Sequence, residues 1–276
     1  MTVADVLLQM KAELGFQADF THVLVTMALL LLRVLPVIIL TPMIGGETSP
    51  TEVKLGLGLT LALVIFPSIA DRVQYIPTSP LIFTALLLKE LFVGYTLAFI
   101  VGRVFDAASA AGSIMDNMSG SNSAQMQVPS IGQSVSLYSA FKLQIFITLF
   151  LTLDGHHLVI RALGDSFATI PLQTFPQFSH GVWPFFQLMM QVFADLLKVG
   201  LALSAPVLLA TFLTDMALGM INRVAPQVQV FFISMQIKPA VTVLVLITSL
   251  HLILLRGRDE FGHMFHVLQK AIWLMG

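Results

Sequence analysis

Asp154, His156 and His157 are the one cluster in this chain whose residue types suggest a metal site. Adjacent histidines point apart on a helix, and no matching second set lies nearby. His180, His251, His263 and His266 are scattered; the last two stand three apart, but in a charged C-terminal stretch. With no cysteine in the sequence, disulfides and thiolate metal sites are excluded. The serines between 119 and 136 have no His or Lys spaced to activate them. A nucleophile elbow, an HExxH pair, a phosphate-binding glycine loop and paired catalytic carboxylates are all missing from the sequence. The residues therefore predict neither an enzyme nor a cofactor or metal site.

Charges inside apolar stretches carry more information. An ionisable residue at bilayer depth costs roughly 2.5–3.5 kcal/mol on insertion scales, so it pairs or lines a cavity. Arg33 stands alone in its segment, and Lys89 and Glu90 are neighbours that face different sectors of one helix. Arg103 with Asp106, and Asp195 with Lys198, stand three apart and share a helix face, so each couple can neutralise itself. These charges read either as an ion pathway or as pairs that fix helix packing. No run of them resembles a proton relay.

The elements that hold these residues are apolar helices. Hydrophobic residues make up 57% of the 276 positions and charged residues only 11%, and the mean hydropathy is +0.89. A soluble domain has about 25% charged residues, so the excess apolar surface must face lipid or other subunits. A net charge of −1 gives no reason to expect nucleic acid as a partner. Apolar segments run over about 23–44, 55–70, 81–105, 143–153, 185–213 and 228–255. They are interrupted at Pro36, at 45–50, at Asp154-Gly155 and at Asn222–Gln227. The second segment is short for a span of about 20 residues, and 164–184 reads as a soft Phe- and Pro-rich connection. Irregular backbone at membrane depth survives only under cover of protein or water. The pattern predicts an all-α membrane protein: five to six uneven, partly broken hydrophobic helices packed as hairpins in one domain over 1–276. Residues 1–20 read as an amphipathic surface helix without the basic start of a cleavable signal, and 256–276 as an amphipathic tail.

Residues 116–136 differ from everything around them, being small and polar with methionines at and beside them: Met115, Met118 and Met126. Together with other motifs this stretch resembles the FliR/SctT family of type III export apparatus proteins. The opening is carried by Arg33 to Pro42, then Pro50, Lys54, Leu55, Gly56 and Pro67. Lys89-Glu90-x-x-x-Gly94 and Ala111-Gly112-x-x-x-Asp116-Asn117-x-x-Gly120, with Pro129 later, are similar to the family's central helix and following loop. Asn222-Arg223-x-Ala225-Pro226-Gln227, with Asp215 before it and Lys238 after it, resembles the family's most recognisable motif. Gly155-His156-His157 leans towards flagellar members; Asp116-Asn117-x-x-Gly120 and Met235–Lys238 lean towards injectisome members.

The resemblance implies a core subunit of an export gate in the bacterial inner membrane, displaced towards its periplasmic side within the basal body. Its implied partners are FliP/SctR-like and FliQ/SctS-like membrane subunits, an FlhB/SctU-like switch protein, membrane lipid and unfolded export substrates. Residues 116–136 would be the pore plug, through Met115, Asn117, Met118, Gly120, Asn122, Met126, Pro129 and Gly132. Small polar residues would pack a narrow pore without binding passing substrate, and unbranched methionines suit a reversible seal. Arg33, Lys89, Glu90, Arg103, Asp106, Asp215 and Arg223 would be structural or gating charges. Asn222, Ala225, Pro226 and Gln227 would form a helix break. A rival reading is a stand-alone secondary transporter for a small solute. Such folds carry paired repeats around a midplane site, and the breaks here do not divide the chain into two similar halves.

Overall fold

The computed structural model describes residues 20–42, 49–70, 79–120, 136–179 and 181–276. The proposed surface helix at 1–19, the break at 43–48, His180 and the loop residues Asn122, Met126, Pro129 and Gly132 lie outside them. The described residues form seven helices and no strand: α1 Phe20–Leu40, α2 Thr51–Ala70, α3 Pro80–Ser119, α4 Leu137–Thr152, α5 Gly155–Thr169, α6 Val182–Val224 and α7 Val230–Met275. Five of these are long and apolar enough to cross a membrane, and α4 with α5 makes a sixth candidate bent by 71°. The predicted all-α membrane class and the five or six uneven helices are what the structure contains.

Helix α3 is the central post, packed against α1, α4, α6 and α7. Its packing face is small-residue rich, with Ala107, Ala108, Ala111 and Gly112 buried. Small residues let backbones approach closely where no hydrophobic effect drives helices together. A Cβ on Gly94 would lie 2.5 Å from the Arg33 carbonyl oxygen, and one on Gly112 would lie 2.3 Å from Ser139 Cα. These two glycines set the crossings of α3 with α1 and with α4. Phe105, Phe150 and Phe261 then pack ring to ring at 5.3–5.5 Å, joining α3, α4 and α7.

Several boundaries differ from those read in the sequence, for one reason. Polar residues read as stops in the sequence, but a long helix with protein on one side carries them through. The central helix runs on past Phe105 to Ser119, so Met115, Asp116, Asn117 and Met118 are helical rather than loop. Segment 55–70 gains Thr51–Lys54 and reaches 20 residues, enough to span. The soft connection from 164 begins as helix, because α5 extends to Thr169. The tail after Leu255 is no separate surface helix: α7 continues unbroken to Met275, and Phe261, Met264, Leu268 and Ala271 are core residues. Helix α6 carries Asp215, Asn222 and Arg223 to its end. The predicted break does occur at Ala225–Gln229, where Pro226 cannot extend the helix.

Candidate functional site

Two polar constellations stand out, and α3 bears a part of each. The first surrounds Arg33, which sequence left without a partner. Its guanidinium is fully buried and uses every N–H it has. Nε and Nη2 grip the Glu90 carboxylate at 2.5 and 2.9 Å. Nη1 donates to the Ser166 carbonyl at 2.9 Å and to its hydroxyl at 3.3 Å, and Nη2 also donates to the Ile170 carbonyl at 2.9 Å. The guanidinium carbon lies 4.3 Å from the Phe167 ring centroid. Lys89 Nζ donates to the carbonyls of Pro171, Leu172 and Thr174 at 3.0–3.1 Å and contacts Glu90. The expectation that Lys89 and Glu90 face apart is therefore wrong: long side chains from adjacent positions converge on one point. Both cations sit at the C-terminus of α5 and the turn that follows it, where the helix dipole is negative. The cluster ties α1, α3 and α5 together.

The second constellation closes the base of the 121–135 segment. Helix α3 ends at Gly120 with φ 74°, the left-handed conformation glycine adopts freely. The chain resumes at Ser136 and enters α4. Asp116, one turn before the end of α3, accepts hydrogen bonds from the backbone N–H of Tyr138 at 3.1 Å and of Ser139 at 3.2 Å. The Ser136 hydroxyl donates to it as well. Asp116 thus does from another helix what an N-cap side chain does locally: it satisfies the free donors of the first turn of α4 with a carboxylate. Ser109 and Ser139 add a hydroxyl contact at 2.8 Å beside Gly112. The Asp116 carboxylate ties the α4 end of the segment to the last turn of α3. Met115 is wholly buried in the helix core, whereas Asn117 and Met118 are exposed.

The remaining predicted charges separate into three fates. Arg103 passes over Asp106 and reaches across to Asp195 at 3.5 Å and to His263 Nδ1 at 2.9 Å. Asp106 is exposed, whereas Arg103 is buried and turned towards α6 and α7. Asp195 does meet Lys198, at 3.7 Å. Asp215 pairs with Lys238 at 2.6 Å across the α6–α7 hairpin, and Arg223 is exposed at the end of α6. Asp154, His156 and His157 come closer than expected, with the imidazole centroids 4.0 Å apart, because Asp154 at φ 55° starts α5 with a sharp turn. All three nonetheless stem from a single turn at the protein surface.

Lys142 was missed altogether. It is buried on α4 with Nζ donating to the Leu203 carbonyl at 2.8 Å. The apolar run in the sequence begins at Leu143, but the helix begins at Leu137 and so encloses the cation.

Residues 24–264 match the sequence model of the bacterial export proteins, family 1. The chain belongs to that family. The flagellar biosynthetic protein FliR of Pectobacterium carotovorum is 30% identical over 245 residues, 87% of this chain and 90% of the relative. The Yop proteins translocation protein T of Yersinia pestis is 29% identical over 226 residues, 81% and 85% of the two chains. The secretion system apparatus protein SsaT of Salmonella typhimurium is 24% identical over 228 residues, 82% and 87%. The FliR/SctT resemblance drawn from the motifs holds, with flagellar and secretion-system relatives at nearly equal distance. Membership of this export family, with the apolar helices, makes the chain a membrane protein of an export apparatus, acting in protein secretion within a multi-subunit complex.

Proposed function

We propose that this export-family chain is a non-enzymatic subunit of a type III export gate in the bacterial inner membrane. It helps form the pore for unfolded substrates, and the segment after α3 closes that pore. The observation that supports this best is the fixed base of that segment: Asp116 holds the entry to α4 against the end of α3. A 15-residue insert between clamped ends can fill a lumen without loosening the helices that carry it. The displacement towards the periplasm and the FliP/SctR-like, FliQ/SctS-like and FlhB/SctU-like partners belong to the same proposal. The exposed apolar flanks of α6 and α7, Leu213, Met220, Phe231 and Ile247 among them, need such covering.

Co-expression with the neighbouring membrane-protein genes and native mass spectrometry test the assembly. The chain should appear as a minority subunit among several copies of two hydrophobic partners. A stable monomer or homodimer that ignores them returns the small-solute transporter reading. Shortening 119–133 in the assembled complex tests the closure, because the gate should then leak small ions; unchanged conductance removes the plug role.

A further inference from the structure

We infer that the cleft between the first half of α6 and the last turns of α7 binds the phosphate group of an anionic phospholipid. The cleft has a volume of about 350 Å³, and its polar lining comprises Gln191, Asp195, Lys198, His263, His266 and Lys270. That is the scale of a site for a small molecule or headgroup. Lys198 and Lys270 line it, and the buried Arg103 reaches two residues of its lining, Asp195 and His263. Taking Arg103, Lys198, Lys270 and Arg256 against Asp195 and Glu260, which faces Arg103 and pairs with Arg256 at 3.2 Å, gives four positive charges to two negative, a net of +2 with the histidines left out of the sum.

Those charges are only partly satisfied within the chain. Asp195 meets Arg103 at 3.5 Å and Lys198 at 3.7 Å, both longer than the 2.7–2.9 Å of a tight charge-assisted hydrogen bond. Arg103 Nε is buried without a hydrogen-bond partner among the described residues. His263 is fixed in a useful tautomer. Arginine can only donate, so His263 Nδ1 accepts from Arg103 Nη2, and the ring proton resides on Nε2 as a free donor. The lining therefore offers two ammonium groups, an imidazole N–H and an amide to an anion, in a chain short of charge elsewhere.

The surroundings favour lipid as the source of that phosphate. Phe186, Met190, Phe193, Leu197 and Leu201 form an exposed apolar stripe on α6 beside the cleft, suited to acyl chains. Trp183 and Trp273, the chain's two tryptophans, are both exposed at one end of the antiparallel pair, and Trp273 stands one turn beyond Lys270. Exposed tryptophan marks the headgroup level of a bilayer, and basic pockets between membrane helices take lipid headgroups.

The test is native mass spectrometry of the full chain in detergent with phosphatidylglycerol, with phosphatidylcholine, and with inorganic phosphate alone. Phosphatidylglycerol should be retained at least fivefold over phosphatidylcholine. The K198Q/K270Q double variant should lose that preference, and K198R/K270R, checked for the same elution profile, should keep it. Equal retention by wild type and K198Q/K270Q overturns the site. If the double variant misfolds, K270Q alone carries the comparison under the same criterion. Inorganic phosphate that binds as well as the lipid and depends on the same lysines overturns lipid as the ligand. Carbodiimide coupling of Lys198 or Lys270 to a partner carboxylate in the co-expressed complex overturns it too.

Discussion

Arg33–Glu90 and Asp215–Lys238 are both cation–carboxylate contacts between helices, at 2.5 and 2.6 Å, yet their settings are opposite. Arg33 and Glu90 are 0% exposed and every guanidinium proton is used. Asp215 is 50% and Lys238 22% exposed, on a hairpin whose flanks show phenylalanine, methionine and leucine to the outside. The first pair belongs to a body that is complete within the chain. The second belongs to an arm whose cover must come from elsewhere. Equal distances therefore predict unequal energies: a buried pair is costly to break on one side, whereas an exposed pair contributes little.

The largest effect should follow from breaking the body's pair. Arg33→Ala leaves Glu90 buried with only Lys89 beside it, and should destabilise the detergent-purified chain by about 3–5 kcal/mol. Arg33→Lys should recover little, because an ammonium cannot reproduce the bidentate grip on Glu90 together with the bonds to Ser166 and Ile170. Arg33→Met combined with Glu90→Leu should lie well above either single variant, since no charge is stranded. Thermal unfolding followed by tryptophan fluorescence measures all of these. Arg33→Ala unfolding within a degree or two of wild type would erase the distinction between body and arm.

Lys142 sharpens the comparison with an effect of the opposite sign. It is buried like Arg33, but within 4 Å it has no carboxylate among the described residues, only the Leu203 carbonyl. Lys142→Met keeps the stem volume and removes an unpaired charge, so it should raise the stability of the isolated chain by about 1 kcal/mol. A stability gain on its removal would point to a reason for Lys142 outside the chain's own stability. A gain in melting temperature accompanied by loss of assembly in the co-expressed complex would identify a partner acid as that reason. A fall in melting temperature as large as that of Lys142→Ala would make Lys142 structural instead.

The same contrast explains what was legible in the sequence. Helix class and number follow from apolar runs and composition, which report local chemistry. Motif order identified the family because Gly94, Gly112 and Asp116 answer to fixed geometric demands, a close crossing twice and a cap once. Partners of charges were legible only where they stand one turn apart, as Asp195 and Lys198 do. Arg103 reads equally well against Asp106 three residues on or Asp195 ninety-two residues on, and the packing of α3 between α6 and α7 decides for the second. The end of α3 was also misplaced, because Asp116 looks like a loop residue until α4 is known to need its carboxylate.

The smallest effect should come from the arm in isolation. Asp215→Ala or Lys238→Ala should shift the stability of the purified chain by no more than about 1 kcal/mol, as solvent screens a half-exposed pair. In the assembled gate the same pair would be dried by its neighbours, and removing one partner would strand a charge in a low-dielectric interface. Recovery of each variant in the co-expressed complex should then fall several-fold while the isolated chain melts normally. Pairing Asp215→Ala with Lys238→Ala should restore part of the recovery, because the stranded charge is gone. If the single variants assemble at the wild-type level, this stretch of the hairpin stays wet in the complex, and the uncovered part of the chain that matters lies nearer Leu244 and Ile247.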